Sequence, residues 1–85
     1  MKIVDIRPCY RITAENDIYG MEMYIDRGSK LQVTIKGGMT YIGYMERVDF
    51  GYYPKEGDMF VIRIADGTLY GIMVDCISDI KELQE

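Results

Sequence analysis

Residues 47–70 contain aromatic side chains and three basic residues of the kind that contact bases or proteins. Tyr52 and Tyr53 directly precede Pro54 in a stretch rich in turn residues, where a core position is hard to reach. Two neighbouring rings in a loop can stack on bases or fill a groove of a partner protein. The alternative is that the tyrosines pack in a sheet wall and the basic residues are scattered and solvated. The candidate binding residues are Tyr52, Tyr53, Arg47, Lys55, Arg63 and Tyr70.

Side chains suited to catalysis or metal binding are scarce. The chain contains no histidine, which removes the commonest general base and metal nitrogen ligand, and it has no Gly-x-x-x-x-Gly-Lys phosphate loop. Cys9 and Cys76 lie far apart and outside any Cys-x-x-Cys pair, so we interpret them as packing residues. Asp75, Asp79 and Glu82 offer oxygen ligands, but an acidic, solvated C-terminus explains them more simply. We therefore expect no enzymatic activity, no cofactor and no metal.

Length and charge limit the class of protein. The chain has 85 residues, of which 48% are hydrophobic and 28% are charged, and this composition fits one small domain with a thin core. Its net charge is −4, and no two basic residues are adjacent. Broad affinity for nucleic acid is therefore disfavoured. We expect no DNA binding, while RNA binding through a local basic spot remains an alternative.

The apolar content is not arranged for a membrane. No stretch approaches the roughly 20 apolar residues that a membrane span requires. The first eight residues also lack the apolar core of a signal peptide. We expect a cytoplasmic protein.

Short apolar runs separated by turn residues predict a mainly β structure. Leu31, Val33 and Ile35 alternate with polar residues as in a half-buried strand, and Gly37-Gly38 then turns the chain. The run 39–48 has apolar residues on both faces around a central glycine, which predicts a bent strand.

A second predicted hairpin follows a loop at 49–58. Apolar residues alternate over 60–65, Asp66-Gly67 is a strong hairpin turn signal, and 69–74 returns as the paired strand. After residue 74, the apolar residues are spaced by three. This spacing is compatible with one helical turn before a short edge strand and, almost as well, with a terminal helix.

The segment 14–27 allows two interpretations. Apolar residues recur in it at the i, i+4, i+7, i+11 spacing of a helix face, Thr13 can cap the first turn, and Gly28 can end the helix. Apolar residues also alternate over 19–25 as in a strand, and Gly20 inside a helix costs about 1 kcal/mol relative to alanine. We favour the helix.

From residue 31 onward the sequence resembles the first motif of the Sm-like family. That motif combines an apolar alternation with a hairpin glycine, a tyrosine, a second glycine at a bend and an aspartate. A shorter match around Gly71 resembles the second motif and closing strand of the family, so the resemblance covers roughly residues 31–80. The residues that match the first motif are Leu31, Val33, Ile35, Gly38, Tyr41, Gly43, Met45 and Asp49.

The resemblance implies a small, strongly bent five-stranded barrel of the Sm-like or SH3-like kind with one N-terminal helix. It implies a single domain, with the helix in an N-terminal segment at 1–29 and the barrel at 30–83. Both RNA-binding motif positions depart from the family, because Tyr52 and Tyr53 stand where it has a Met-Asn pair and Tyr70 stands where it has arginine. The uracil-type pocket of the family is therefore incomplete in this sequence.

These observations predict a non-catalytic interaction module that binds protein partners and self-associates. In the Sm-like family, rings form by the pairing of exposed strand edges, and a thin core makes such pairing energetically useful. The predicted edge is the strand 69–74, with Ile72 and Val74 as contact residues. RNA binding through the Tyr52–Tyr53 loop is the alternative.

Overall fold

The computed structural model describes residues 1–14, 22–51 and 57–84, which form seven β-strands in two antiparallel sheets. A 3-10 turn at Val74–Cys76 is the one helical element within these ranges, and no helix in them has the length and apolar content to cross a membrane. The strands are β1 (Cys9–Ile12), β2 (Met23–Asp26), β3 (Lys30–Ile35), β4 (Thr40–Asp49), β5 (Met59–Arg63), β6 (Leu69–Met73) and β7 (Ile77–Glu82).

Strands β3 to β7 form one sheet in the order β6-β5-β4-β3-β7. The first four follow each other as a meander, and β7 returns to pair with the free side of β3. The predicted turns are found, because Gly37, Gly38 and Gly67 all have positive φ angles, and the Asp66 carboxylate accepts a hydrogen bond from the Thr68 N–H at 2.9 Å. The mainly β prediction is confirmed, and the C-terminal segment is one helical turn followed by an edge strand.

This five-stranded sheet is strongly curled. β6 and β7 are its opposite edges, yet the three-residue 3-10 turn joins them directly. In a flat sheet, four strand spacings of about 4.8 Å would separate the edges by about 19 Å. A 3-10 turn rises only about 2 Å per residue and cannot span that distance. The two edges must therefore approach each other at this end of the sheet.

The predicted closed barrel is not found. Within the described residues, no ladder joins β6 to β7. Closure requires the edge strands to lie side by side over several residues. The turn between them bonds elsewhere: the Val74 N–H donates to the Asp58 carbonyl and the Cys76 carbonyl accepts from the Lys36 N–H, both at 2.9 Å. The sheet is therefore curled and open, with β6 and β7 as its edges.

The predicted N-terminal helix is also wrong where the structure describes it. Residues 15–21 lie outside the described ranges, and Met23–Asp26 forms strand β2, which pairs with β1 in an antiparallel hairpin. Pairing with β1 gives backbone N–H and C=O groups of β2 hydrogen-bond partners. Side chains alternate between the two faces of a strand, and in this register Ile25 points into the core. Gly28 has a positive φ as expected, but it belongs to the turn from β2 to β3 and does not end a helix.

The hydrophobic core connects the β1–β2 hairpin to the curled sheet. Ile25 of β2 is fully buried together with residues from four strands of the sheet. Tyr10, Ile12 and Met23 of the hairpin pack against this cluster. The buried members contributed by the sheet are Leu31, Val33, Met45, Phe60, Ile62 and Ile72.

Candidate interaction site

The predicted binding residues divide into two sets of three. One set lies on the neighbouring strands β4, β5 and β6, and the other lies outside the described residues. The first set is Arg47, Arg63 and Tyr70, and the second is Tyr52, Tyr53 and Lys55.

Arg47 and Arg63 belong to an ion cluster, which we define as Arg27, Glu46, Arg47, Asp49 and Arg63. Arg27 Nη2 donates to Glu46 Oε1 at 2.9 Å, and Arg63 Nε lies 3.8 Å from the other oxygen, Glu46 Oε2. Arg47 Nε donates to Asp49 Oδ1 at 2.8 Å. The hydrogen bond from Arg27 lowers the pKa of Glu46 below its ordinary value despite partial desolvation, and the charges of all three arginines act in the same direction.

A β-bulge explains why this cluster forms. The two neighbours of Glu46 on β4 pair with consecutive residues of β5, so Glu46 is the extra residue of the bulge. A bulge bends its strand and redirects a side chain, and here the Glu46 carboxylate meets Arg27 from the β2–β3 turn. Sequence reasoning missed Arg27 and Glu46, because neither the bulge nor the β2–β3 turn is visible in the residue pattern.

The ion cluster is a weak anion site at best. Its three arginines and two carboxylates leave 3 − 2 = +1, and ion pairs as exposed to solvent as these contribute little to stability. The Arg63 guanidinium also lies 5.1 Å from the centroid of the Tyr44 ring, which holds it over an aromatic face.

The β6 edge, which we define as residues 69–74, carries no protection against strand pairing. It reads Leu-Tyr-Gly-Ile-Met-Val, without a charge or a proline, and its pairing with β5 has no bulge. Leu69 is 45% exposed and Tyr70 is 41% exposed. An edge strand leaves backbone N–H and C=O groups unpaired, and natural edges are blocked by charges, prolines or bulges. The β6 edge is therefore a surface suited to strand pairing.

The opposite edge of the sheet is protected. Asp79, Lys81 and Glu82 distribute charges of both signs along β7. Charged edge residues disfavour the approach of a further strand because pairing would desolvate them. Of the two edges, β6 is the one that can accept another chain.

The predicted contact residues of the β6 edge differ in exposure. Ile72 belongs to the core and is only 9% exposed, so at the edge it offers mainly backbone groups. Val74 is exposed and lies in the 3-10 turn directly after the strand. The Tyr70 ring packs edge-on against Tyr41 with 5.9 Å between centroids, which holds it at the surface. Leu69 is an exposed edge side chain that was not among the predicted contacts.

A cleft of about 660 Å³ lies between the hairpin and the end of the sheet. Phe60 and Ile80 contribute apolar walls, and Asp58 and Asp79 contribute carboxylates. Within the described residues, no group of three or more histidine, cysteine, aspartate or glutamate side chains could hold a metal ion. Cys9 lines the cleft as a free thiol.

Comparison with known proteins adds no relative from which a role could be inferred. No family model, curated protein or solved structure matches the chain. Function is therefore inferred from the chemistry and geometry of its own residues.

Proposed function

We propose that this protein is a non-catalytic interaction module that binds protein partners, including copies of itself, by strand pairing at the β6 edge. The observation that carries the proposal is the six-residue edge without charge, proline or bulge. Its counterpart on the other side of the sheet, β7, is charged. Selective protection of one edge is expected when the other is used for pairing.

The energetics favour association. Only eight hydrophobic residues are buried among the described residues, so the monomer has a small core. A partner that binds the folded state alone stabilises it by mass action. Pairing at the β6 edge would satisfy free backbone groups and remove the exposed Leu69, Tyr70 and Val74 side chains from water.

The layout of the sheet can be compared with the one that the Sm-like resemblance implies. Five short strands run from Lys30 to Glu82, and a single helical turn precedes the last of them. The resemblance implies assembly through strand edges, which agrees with the proposed role of β6. The open sheet and the β1–β2 hairpin in place of a helix separate this chain from the expected layout.

Changing Leu69 to lysine is expected to abolish self-association. Lysine is a residue that natural edges use against pairing, and Leu69 is exposed enough for the fold to tolerate it. Light scattering coupled to size-exclusion chromatography at tens of micromolar should show a wild-type oligomer and a monomeric Leu69→Lys variant.

The matched control for this experiment is Ile42→Lys. Ile42 is also exposed, but it lies on β4, which is not an edge strand of the sheet, and it pairs with Gln32 of β3. This control should keep the wild-type mass. A wild-type monomer at tens of micromolar, or an oligomer that Leu69→Lys leaves intact, would contradict self-association through β6.

RNA binding is a second candidate function, and the ion cluster is the observation that favours it. The cluster carries one surplus positive charge, and Arg63 lies over the ring of Tyr44, an arrangement that can contact a phosphate and a base together. The net charge of −4 opposes this candidate.

Salt dependence tests the RNA candidate. If it holds, affinity for single-stranded RNA falls steeply between about 50 and 200 mM salt, because binding releases counterions from phosphates. An Arg47→Gln/Arg63→Gln double variant should then bind more weakly than Arg11→Gln, a control outside the cluster. Absence of binding at the lowest salt concentration would eliminate the candidate.

A further inference from the structure

The first eight residues form an exposed apolar arm. Met1, Ile3, Val4 and Ile6 are each at least 63% exposed, and none of them belongs to the core or to the side chains packed against it. The arm lies outside both sheets and joins β1 after Pro8. Its described ion pair is internal, between Arg7 Nε and Asp5 Oδ2 at 2.8 Å.

The composition of the arm is that of a strand. Ile3, Val4 and Ile6 are β-branched residues, which favour the pleated backbone. Pro8 biases the residue before it towards extended backbone angles. Contiguous exposed apolar side chains of this kind typically mark an interaction surface. Among the described residues, the chain thus contains a strand-like segment that lies outside both sheets and a sheet edge without a neighbouring strand.

Length and charge match the arm to the β6 edge. From Lys2 to Arg7 an extended segment spans about 17 Å, which is enough to cover the roughly 14 Å of the five-residue strand β6. The arm carries two basic residues and one acidic residue, so it holds 2 − 1 = +1, and the remaining chain holds −4 − 1 = −5. Asp66 and Asp75 lie beyond the two ends of β6. Whether the arm pairs parallel or antiparallel to β6, its basic ends, Lys2 and Arg7, would lie towards these two carboxylates.

We propose that residues Lys2–Arg7 of one copy pair as an added strand with the β6 edge of a second copy. This inference rests on the proposed function and specifies its partner. Cys9, where the arm leaves β1, lines the same cleft as Val74 at the end of the β6 edge. Each arm therefore departs beside the edge that would receive the arm of the partner, so reciprocal exchange can close into a two-fold dimer.

The test compares a Val4→Asp/Ile6→Asp double variant with the wild-type 85-residue chain by sedimentation equilibrium over a range of concentrations. The double variant should weaken dimerisation by about tenfold or more, because two apolar contacts with the β6 edge are replaced by carboxylates, and Asp66 and Asp75 flank that edge. The matched control is Met39→Asp/Ile42→Asp, which changes two exposed apolar side chains elsewhere. It should dimerise like the wild type.

Hydrogen exchange distinguishes strand pairing from unspecific apolar contact. In the wild-type dimer, amides of residues 2–7 and 69–73 should both be protected, and protection should fall on dilution. A dimer that is lost in Leu69→Lys but kept in Val4→Asp/Ile6→Asp would overturn arm exchange and leave β6 self-pairing intact. A wild-type monomer would overturn arm exchange and self-association together. A dimer insensitive to both variants would overturn arm exchange and association through the β6 edge.

Discussion

Replacing Ile25 with alanine is expected to destabilise the protein by about 2–5 kcal/mol, the range for truncating a buried isoleucine. Ile25 is 0% exposed and packs in the cluster that includes Leu31 and Ile62. A chain of this length has a total stability of only about 4–13 kcal/mol. Urea unfolding followed by circular dichroism at 25 °C should show a large fall in the midpoint.

Tyr24→Ala is the matched control for Ile25. Tyr24 is the preceding residue of β2 and points to the other face, where it is exposed. Its truncation should cost less than about 1 kcal/mol. If both variants lost the same small amount of unfolding free energy, the result would contradict the structure, because it would mean that the hairpin does not contribute to the core.

Replacing Gly43 with valine is expected to cost about 1–3 kcal/mol or more, the range for overpacking. A Cβ at this position would lie 2.9 Å from the Arg63 carbonyl oxygen and 3.2 Å from Ile62 Cδ1. The carbonyl belongs to the backbone of β5 and cannot rotate away. Strand propensity alone favours valine over glycine, on a scale of only about 1 kcal/mol, so the steric effect should prevail.

Gly57→Val is the control that separates backbone from side-chain crowding. A Cβ at Gly57 would meet Met73 Cε at 2.7 Å, which is the terminal methyl of a flexible side chain and can move. Its cost should stay below about 1 kcal/mol. Thermal unfolding of both variants provides the comparison. A Gly43→Val protein as stable as the wild type would show that β4 does not approach β5 as closely as the structure indicates.

The Gly43 prediction bears on the proposed interaction surface. The close approach at Gly43 and the bulge at Glu46 belong to the curled β4, and the curl lets a three-residue turn connect β6 to β7. If the sheet were flat, β6 and β7 could not be its two edges with this connection. The exposure of the β6 edge therefore depends on the same backbone geometry.

Part of the candidate site was predictable from the sequence. The strand 69–74 was identified as the return strand of a hairpin, because the alternation over 60–65 and the turn signal at Asp66-Gly67 are properties of a few adjacent residues. The sequence also shows that these six residues include no charged residue and no proline, the residues that protect natural edge strands. Only the structure shows that Ile72 faces the core and that Leu69 is exposed.

The residue pattern was enough to predict that the chain forms short strands and that Gly37-Gly38 and Asp66-Gly67 turn it, because side-chain period and permitted φ are local quantities. Features that depend on distant residues came from the folded chain. Segment 23–26 is a strand because Cys9–Ile12 pairs with it, Arg27 meets Glu46 across a bulge, and the sheet stays open because its connecting turn bonds to the ends of other strands. Pairing partners far apart in the chain leave no periodic signal, so only the folded backbone reveals which strands pair.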